Sequence, residues 1–150
     1  MTLHCAIVSQ DRLLFEGEAD IVVAPGSEGE MGILPNHAPL LAELAYGIVR
    51  VRREGREQAF AIAGGVLEVR PDGVTLLADV GENVDEIDLS RAEAAKTRAE
   101  ELLKKGPPPD TGEYLALEAA LRRSTLRVEA VRRYRRDRRR PLEMGERGER

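Results

Sequence analysis

Hydrophobic and polar residues alternate through the first part of the chain, up to about residue 85. The alternation is clearest in residues 48–52 and 66–70, where every second side chain is aliphatic. This two-residue period is typical of half-buried strands. The steps Pro71-Asp72-Gly73 and Glu54-Gly55 predict tight hairpins. Many short strands separated by regularly spaced turns indicate a sandwich or a barrel.

The pattern changes near residue 85, where alanine and leucine begin to recur at helical spacing. Asp88 or Ser90 provides an N-cap for a first helix, and Lys104-Lys105-Gly106 provides its end. A second amphipathic helix begins near residues 111–113. Two such helices joined by a short loop predict an antiparallel hairpin. Its narrow apolar stripes predict that the hairpin needs a surface, a ligand or a partner.

Charge divides the chain in the same way. Residues 1–89 hold 6 Lys/Arg and 16 Asp/Glu, whereas residues 90–150 hold 17 and 11. An acidic first part joined to a basic second part suggests two modules with different partners. The predicted division is a β domain (sandwich or barrel) at 1–85, a helical hairpin at 86–138 and a disordered tail at 139–150.

Composition excludes several classes of function. A single cysteine, Cys5, excludes an internal disulfide and a cysteine-cluster metal site. Aromatic residues make up 3% of the chain, which disfavours base stacking as its main activity. His4 and His37 lack the spacing of metal ligands, and we find no nucleophile with a partnering base, so we expect no enzyme. We also expect neither a signal peptide nor a membrane-spanning helix.

Three longer motifs connect the chain to a known family. Residues 25–41 read PGSEGEMGILPNHAPLL, residues 62–69 read IAGGVLEV and residues 74–79 read VTLLAD. These runs, in unbroken order, resemble the epsilon subunit of bacterial F-type ATP synthase, and the resemblance covers roughly residues 3–134. The Gly64-Gly65 step within the second run predicts a bulge or a close backbone contact.

The resemblance implies a ten-stranded β-sandwich followed by an antiparallel two-helix hairpin. It implies a rotor subunit of the central stalk, without an active site, whose partners are the gamma subunit, the c-subunit ring and the alpha/beta catalytic head. The hairpin would rise along gamma and block ATP hydrolysis. Glu30 and His37 would meet the c-ring. The implied location is peripheral, at the cytoplasmic face of the bacterial cell membrane, with membrane contact only through the complex.

A second site implied by the resemblance binds a regulatory nucleotide. Residues 87–92 read IDLSRA, which is similar to the I/L-D-x-x-R-A motif that binds ATP in some epsilon subunits. Arg123 and Arg127 share one face of the second helix because they are four residues apart. The residues expected to hold ATP, alone or with magnesium, are Glu82, Ile87, Asp88, Arg91, Ala92, Arg98, Arg123 and Arg127. Glu82 and Asp88 would face adenine and ribose, and the arginines would face the phosphates. No cofactor is required for the subunit itself.

A structural interpretation of the same residues stays open. Asp88 then serves only as an N-cap, Arg91 is solvated, and the arginines of the second helix line a solvated face. Alternatively, those arginines form ion pairs within the hairpin, with Glu100, Glu101 and Glu118.

Residues 122–140 contain ten arginines, accompanied by only two acidic residues. By resemblance, Arg122, Arg132 and Arg133 would meet an acidic surface of the catalytic head. The alternatives are a solvated helix end, a nucleic-acid-binding helix and a stand-alone ATP sensor. The acidic sandwich and the few aromatic residues argue against nucleic acid. Retention on the catalytic head rather than on DNA, and co-purification with gamma, would separate these hypotheses.

Overall fold

The computed structural model describes residues 1–106 and 110–139, except for the side chains of 135–139. Strands come first along the chain and helices follow. The strands are β1 (Leu3–Ser9), β2 (Leu13–Ala19), β3 (Ile21–Gly26), β4 (Gly29–Ile33), β5 (Leu40–Arg53), β6 (Arg56–Arg70), β7 (Gly73–Ala78) and β8 (Gly81–Asn83). The helices are α1 (Leu89–Lys104) and α2 (Thr111–Arg139), and a short 3-10 turn at Val84–Glu86 precedes them.

All eight strands belong to one sheet with the order β2-β1-β7-β6-β5-β3-β4, and β8 pairs with β6. β1 and β7 run parallel, and the other pairs are antiparallel. β5 and β6 are 14 and 15 residues long. Near their connecting turn they pair with β3 and β8, and β6 pairs with β7 farther along. The sheet therefore folds across these two long strands into a β-sandwich.

The expected sandwich followed by two helices is confirmed, but the expected count of ten strands is wrong. The described part of the chain forms eight strands. β5 and β6 continue through both layers, so each counts once where two shorter strands would count twice. The count of ten was an implication of the family resemblance and not of the periodicity.

The core lies between the two layers. Phe15 of β2 and Phe60 of β6 lie on strands that are not neighbours in the sheet, and their ring centroids are 5.9 Å apart. This aromatic contact joins the layers. Burial also raises the pKa of the Cys5 thiol to about 12, so this thiol stays protonated at neutral pH. The buried residues of this core are Leu3, Cys5, Ile7, Ala19, Val22, Ala24, Ile33, Leu44, Val49, Val51, Phe60, Ile62, Leu67, Val69, Val74, Leu76 and Ala78.

Both predicted hairpin turns are confirmed. β5 and β6 are joined by Glu54-Gly55, whose φ angles are 50° and 75°. Two positive φ angles in a two-residue loop match the twist of antiparallel strands. β6 and β7 are joined by Pro71-Asp72, with Gly73 as the first residue of β7.

The Gly64-Gly65 step makes the predicted close backbone contact. Gly65 has a φ of +135°, and a Cβ atom built on it would lie 2.1 Å from the carbonyl oxygen of Leu77. Only glycine fits between β6 and β7 at this point.

The start of α1 distinguishes the two N-cap candidates. The Oδ1 atom of Asp88 accepts a hydrogen bond from the backbone N–H of Arg91 at 3.1 Å. Asp88, rather than Ser90, is therefore the N-cap. At the other end, the helix stops at Lys104 and is followed by Gly106 with a φ of +99°, as the sequence predicts.

The second helix begins behind a cap that sequence reasoning missed. The Oδ1 atom of Asp110 accepts a hydrogen bond from the backbone N–H of Gly112 at 2.9 Å. The predicted disordered tail at 139–150 lies outside the described residues, apart from Arg139 at the end of α2.

Two glycines with the same backbone angle provide a test of the β6–β7 contact. Gly29 has a φ of +134°, close to that of Gly65, but has open space around its would-be Cβ. An alanine at either position would have the same backbone strain, but only at Gly65 would its Cβ also overlap with neighbouring atoms. We expect Gly65→Ala to lower the free energy of unfolding by about 3 kcal/mol more than Gly29→Ala. Chemical denaturation measures the difference, and equal losses would contradict the contact.

Candidate functional site

The hairpin packs against the outer face of the sandwich, and a second cluster of buried apolar residues forms the contact. This cluster joins the last part of α2 to β6, to the 3-10 turn and to the start of α1. Val128 and Val131 of α2 are almost fully buried within it. Its buried members are Ala59, Ala61, Val84, Ile87, Ala92, Val128, Ala130, Val131 and Tyr134.

Small residues on β6 allow the helix to approach. Side chains alternate along the strand, so Phe60 and Ile62 enter the sandwich core while Ala59 and Ala61 belong to the cluster under α2. Residues 59–63 are consequently buried throughout. A strand segment covered on both faces reads as a continuous apolar run, and the sequence AFAIA is such a run. This signal could have located the docking surface, but sequence reasoning missed it.

A bidentate ion pair accompanies the apolar cluster. The guanidinium of Arg127 donates from Nε to Oε2 of Glu82 at 2.9 Å and from Nη2 to Oε1 at 3.0 Å. Glu82 belongs to β8 and Arg127 to α2, so the pair connects sandwich and hairpin. Side-chain exposures of 26% and 33% show that both partners are half-buried. Two parallel charge-assisted hydrogen bonds fix their geometry.

Two further contacts hold α2 against the sandwich. The hydroxyl of Tyr134 donates a hydrogen bond to the backbone carbonyl of Glu57 at 2.9 Å. The guanidinium carbon of Arg122 lies 4.1 Å from the ring centroid of Tyr46, within the range of a cation–π interaction. The contact surface thus follows α2 from residue 122 to residue 134.

The two helices are antiparallel, as predicted. Arg132, late in α2, donates to Glu93, early in α1, at 3.0 Å. Leu103, late in α1, and Leu115, early in α2, line the same groove. The arginines on the two helices therefore belong to one compact hairpin.

Six of the eight residues of the predicted nucleotide site fall into three groups. Ile87 and Ala92 are buried in the cluster beneath α2. Asp88 caps α1, as the structural interpretation predicted. The third group is exposed on the hairpin and contains Arg91, Arg98 and Arg123.

The structure brings Glu82 and Arg127 of the predicted nucleotide site together, and it pairs them with each other. Sequence reasoning expected Arg127 to face phosphates and Glu82 to face the nucleoside. The pair joins residues that are far apart in sequence, and spacing along one helix gives no sign of it. The role of these residues in nucleotide binding stays a prediction.

The predicted c-ring residues lie on an exposed part of the sandwich. Glu30 of β4 accepts a hydrogen bond from Nη2 of Arg50 at 3.2 Å, and its side chain is 65% exposed. His37 follows a turn in which its N–H donates to the carbonyl of Leu34 at 3.1 Å. Its Nδ1 lies 2.7 Å from the carbonyl oxygen of Ala38. Both side chains are placed where a partner could contact them.

An apolar row crosses the outer face of four strands. Strand register places Val66 of β6 opposite Leu77 of β7, Leu77 opposite Val8 of β1, and Val8 opposite Leu13 of β2. Val66, Leu77 and Leu13 are exposed. A contiguous exposed apolar patch on a small protein is typical of a protein–protein interface.

Over the described residues, we find neither a helix suited to crossing a membrane nor a group of three metal-ligating side chains.

Two sequence-family models match the chain, and their boundary lies between residues 84 and 85, just before the hairpin. Residues 2–84 match the family described as ATP synthase, Delta/Epsilon chain, beta-sandwich domain. Residues 85–132 match the ATP synthase, Delta/Epsilon chain, long alpha-helix domain. A sandwich carrying a helical hairpin is thus the architecture of a non-catalytic ATP synthase subunit. The chain belongs to the delta/epsilon family of ATP synthase subunits.

Individual relatives align with this chain over most of their length. The ATP synthase epsilon chain of Laribacter hongkongensis is 42% identical over 132 residues, which cover 87% of this chain and 93% of the relative. That of Halalkalibacterium halodurans is 41% identical over 130 residues, covering 87% and 97%. That of Pelotomaculum thermopropionicum is 48% identical over 104 residues, covering 69% and 78%.

Solved structures share the fold. A chain in the mitochondrial ATP synthase of Euglena gracilis, solved with its F1 head and c-ring, matches with a TM-score of 0.71 and 26% identity, covering 86% of this chain and 80% of that one. A chain in the central stalk and c-ring of the Tetrahymena thermophila enzyme matches with a TM-score of 0.60 and 12% identity, covering 87% and 97%. The second similarity concerns the fold alone.

Proposed function

We propose that the chain is a rotor subunit of the central stalk of a bacterial F-type, proton-translocating ATP synthase. In this role it couples rotation of the c-ring to the catalytic head, and its hairpin inhibits ATP hydrolysis after leaving the sandwich. The subunit lies peripherally at the cytoplasmic face of the cell membrane and reaches the membrane through the complex. The observation that carries the proposal is the docked hairpin, which rests on the sandwich by one side of one helix.

The composition of the docking surface supports a hairpin that detaches. Its buried residues include four alanines and three valines, which contribute little apolar area each. Its polar contacts are an ion pair, one hydroxyl hydrogen bond and one cation–π contact. Surfaces of this kind give modest stability, so a competing partner is able to displace the hairpin.

Three arginines are proposed to meet the catalytic head once the hairpin is released. In the docked state Arg122 lies on Tyr46 and Arg132 pairs with Glu93, while Arg133 is exposed. Release from the sandwich frees Arg122 for an acidic surface on the head. In the docked state, part of the positive charge of α2 is therefore not available to bind the catalytic head.

The sandwich is proposed to bind gamma and the c-ring through two separate surfaces. The apolar row of Leu13, Val8, Leu77 and Val66 fits a large, stable interface, and we assign it to gamma. The exposed carboxylate of Glu30 and the imidazole of His37 fit a polar contact with the loops of the c-ring.

ATP binding to the hairpin is proposed as a regulator of release. Arg91, Arg98 and Arg123 are exposed cations on two packed helices, and guanidinium groups pair well with phosphate oxygens. Ile87, Asp88 and Ala92 then form the base of the site, beside Glu82 and Arg127. A nucleotide that binds only the packed hairpin stabilises it by mass action.

Weakening the docking surface tests the inhibitory role. Val131→Ala removes buried methyl groups from the surface and should cost about 1–2 kcal/mol of docking free energy. Because more hairpins are then released, we expect the assembled complex to hydrolyse ATP several times more slowly. Leu115→Ala, at an exposed position of the same helix, should leave hydrolysis unchanged. Equal rates for wild type and Val131→Ala would contradict inhibition by release.

A charge in the apolar row tests the gamma interface. Leu77→Asp places a carboxylate in the row, and we expect the affinity for isolated gamma to fall at least about tenfold. Leu115→Asp is the matched control, since the two leucines are 55% and 58% exposed and lie on different faces. Titration of each variant with gamma measures the difference. The assignment fails if Leu77→Asp binds as tightly as the control.

The nucleotide site is tested by direct titration of the full chain. We expect Arg123→Ala to weaken ATP binding about tenfold, because a charge-assisted hydrogen bond to phosphate is lost. Arg56→Ala removes another exposed arginine, at the start of β6 and outside the predicted site, and should not change the affinity. An unchanged affinity for Arg123→Ala, measured with and without magnesium, would remove this residue from the site.

A further inference from the structure

The pair of Glu82 and Arg127 differs from the other ion pairs of the hairpin. It connects β8 to α2 by two hydrogen bonds, of 2.9 and 3.0 Å, and so joins the sandwich to the hairpin. The pair of Arg132 and Glu93 connects α1 to α2 and so lies within the hairpin. Only the first of these two pairs is broken when the hairpin leaves the sandwich.

The surroundings of the pair make an unpartnered charge costly. Strand register places Glu82 opposite Ala61, which is buried under α2. Arg127 precedes Val128, which is 1% exposed. If one partner were neutral, the other would carry its charge at the edge of this apolar surface. Loss of one member of a half-buried pair therefore costs more than loss of an exposed pair.

We propose that Glu82 is a positioning residue that docks the hairpin by neutralising Arg127, so that the docked state needs no bound anion. In this state the carboxylate of Glu82 takes the place that a phosphate would otherwise fill beside Arg127. Nucleotide, when it binds, is received by the arginines that remain exposed. The inference rests on the docked hairpin of the proposed function, and it does not depend on ATP binding.

The inference is testable by the reactivity of an introduced thiol in the full chain without nucleotide. Val131→Cys places a thiol at a position that is fully buried in the docked state, so its modification rate reports the released fraction. Cys5 serves as an internal control, because it is buried in the sandwich core and its pKa is raised to about 12. Slow reaction of Cys5 shows that the sandwich stays folded.

In this background we expect Glu82→Gln to raise the modification rate at position 131 about tenfold. Glu93→Gln is the matched control, since it removes the same charge from a 46% exposed carboxylate within the hairpin. Its rate should stay within about twofold of the parent rate.

A double-mutant cycle completes the test. Arg127→Gln alone should also raise the rate, and the two substitutions together should raise it less than the product of their separate effects, because both charges are then removed. The proposal is overturned if Glu82→Gln reacts like Glu93→Gln, if the effects multiply, or if Cys5 becomes equally reactive. These modification rates are measured without nucleotide, so they do not change if the wild-type chain fails to bind ATP. The proposed role of Glu82 and the proposed ATP site can therefore be refuted independently.

Discussion

The double coverage of β6 is the constraint on which the rest of the structure depends. Between residues 59 and 63 the strand faces the sandwich core on one side and α2 on the other. Its core side carries Phe60 and Ile62, and Ala59 and Ala61 of its outer side belong to the cluster under α2. Because these alanines leave room for a helix, Val128 and Val131 reach the strand closely enough to exclude water. The same small residues limit the stability of docking, since little apolar area is buried.

Local features of the fold were predictable because local chemistry determines them. The turn at Glu54-Gly55 needs two positive φ angles, and the end of α1 needs Gly106, so residue types alone indicate both. Asp88 and Ser90 were equivalent candidates in the sequence, because either side chain can cap a helix. Their distinction depends on one 3.1 Å hydrogen bond. The count of ten strands came from the resemblance, and it was wrong because β5 and β6 each run through both layers as one strand.

The sequence indicated which residues belong to the candidate site, but not which of them contact one another. Charge density on α2 and the motif at 87–92 predict a surface for anions. The pairing of Glu82 with Arg127 is a tertiary contact between residues 45 positions apart, which no helical spacing encodes. The hydroxyl of Tyr134 donates a hydrogen bond to the backbone carbonyl of Glu57. Every residue has such a carbonyl, so the sequence does not indicate this partner. The continuous apolar run on β6 was the one available sign that a second layer covers that strand.

The parallel pairing of β1 with β7 determines the order in which the molecule can be built. The first strand of the chain finds its inner neighbour only after nearly the whole sheet has been synthesised, so the sandwich closes late and through distant contacts. The hairpin follows β7 and β8 in the chain, and the surface that receives it includes residues from β6 and from the turn after β8. On a ribosome, where folding proceeds from the N-terminus, α2 therefore emerges after its platform is complete. Docking of α2 is thus made onto a platform whose strands already pair with one another.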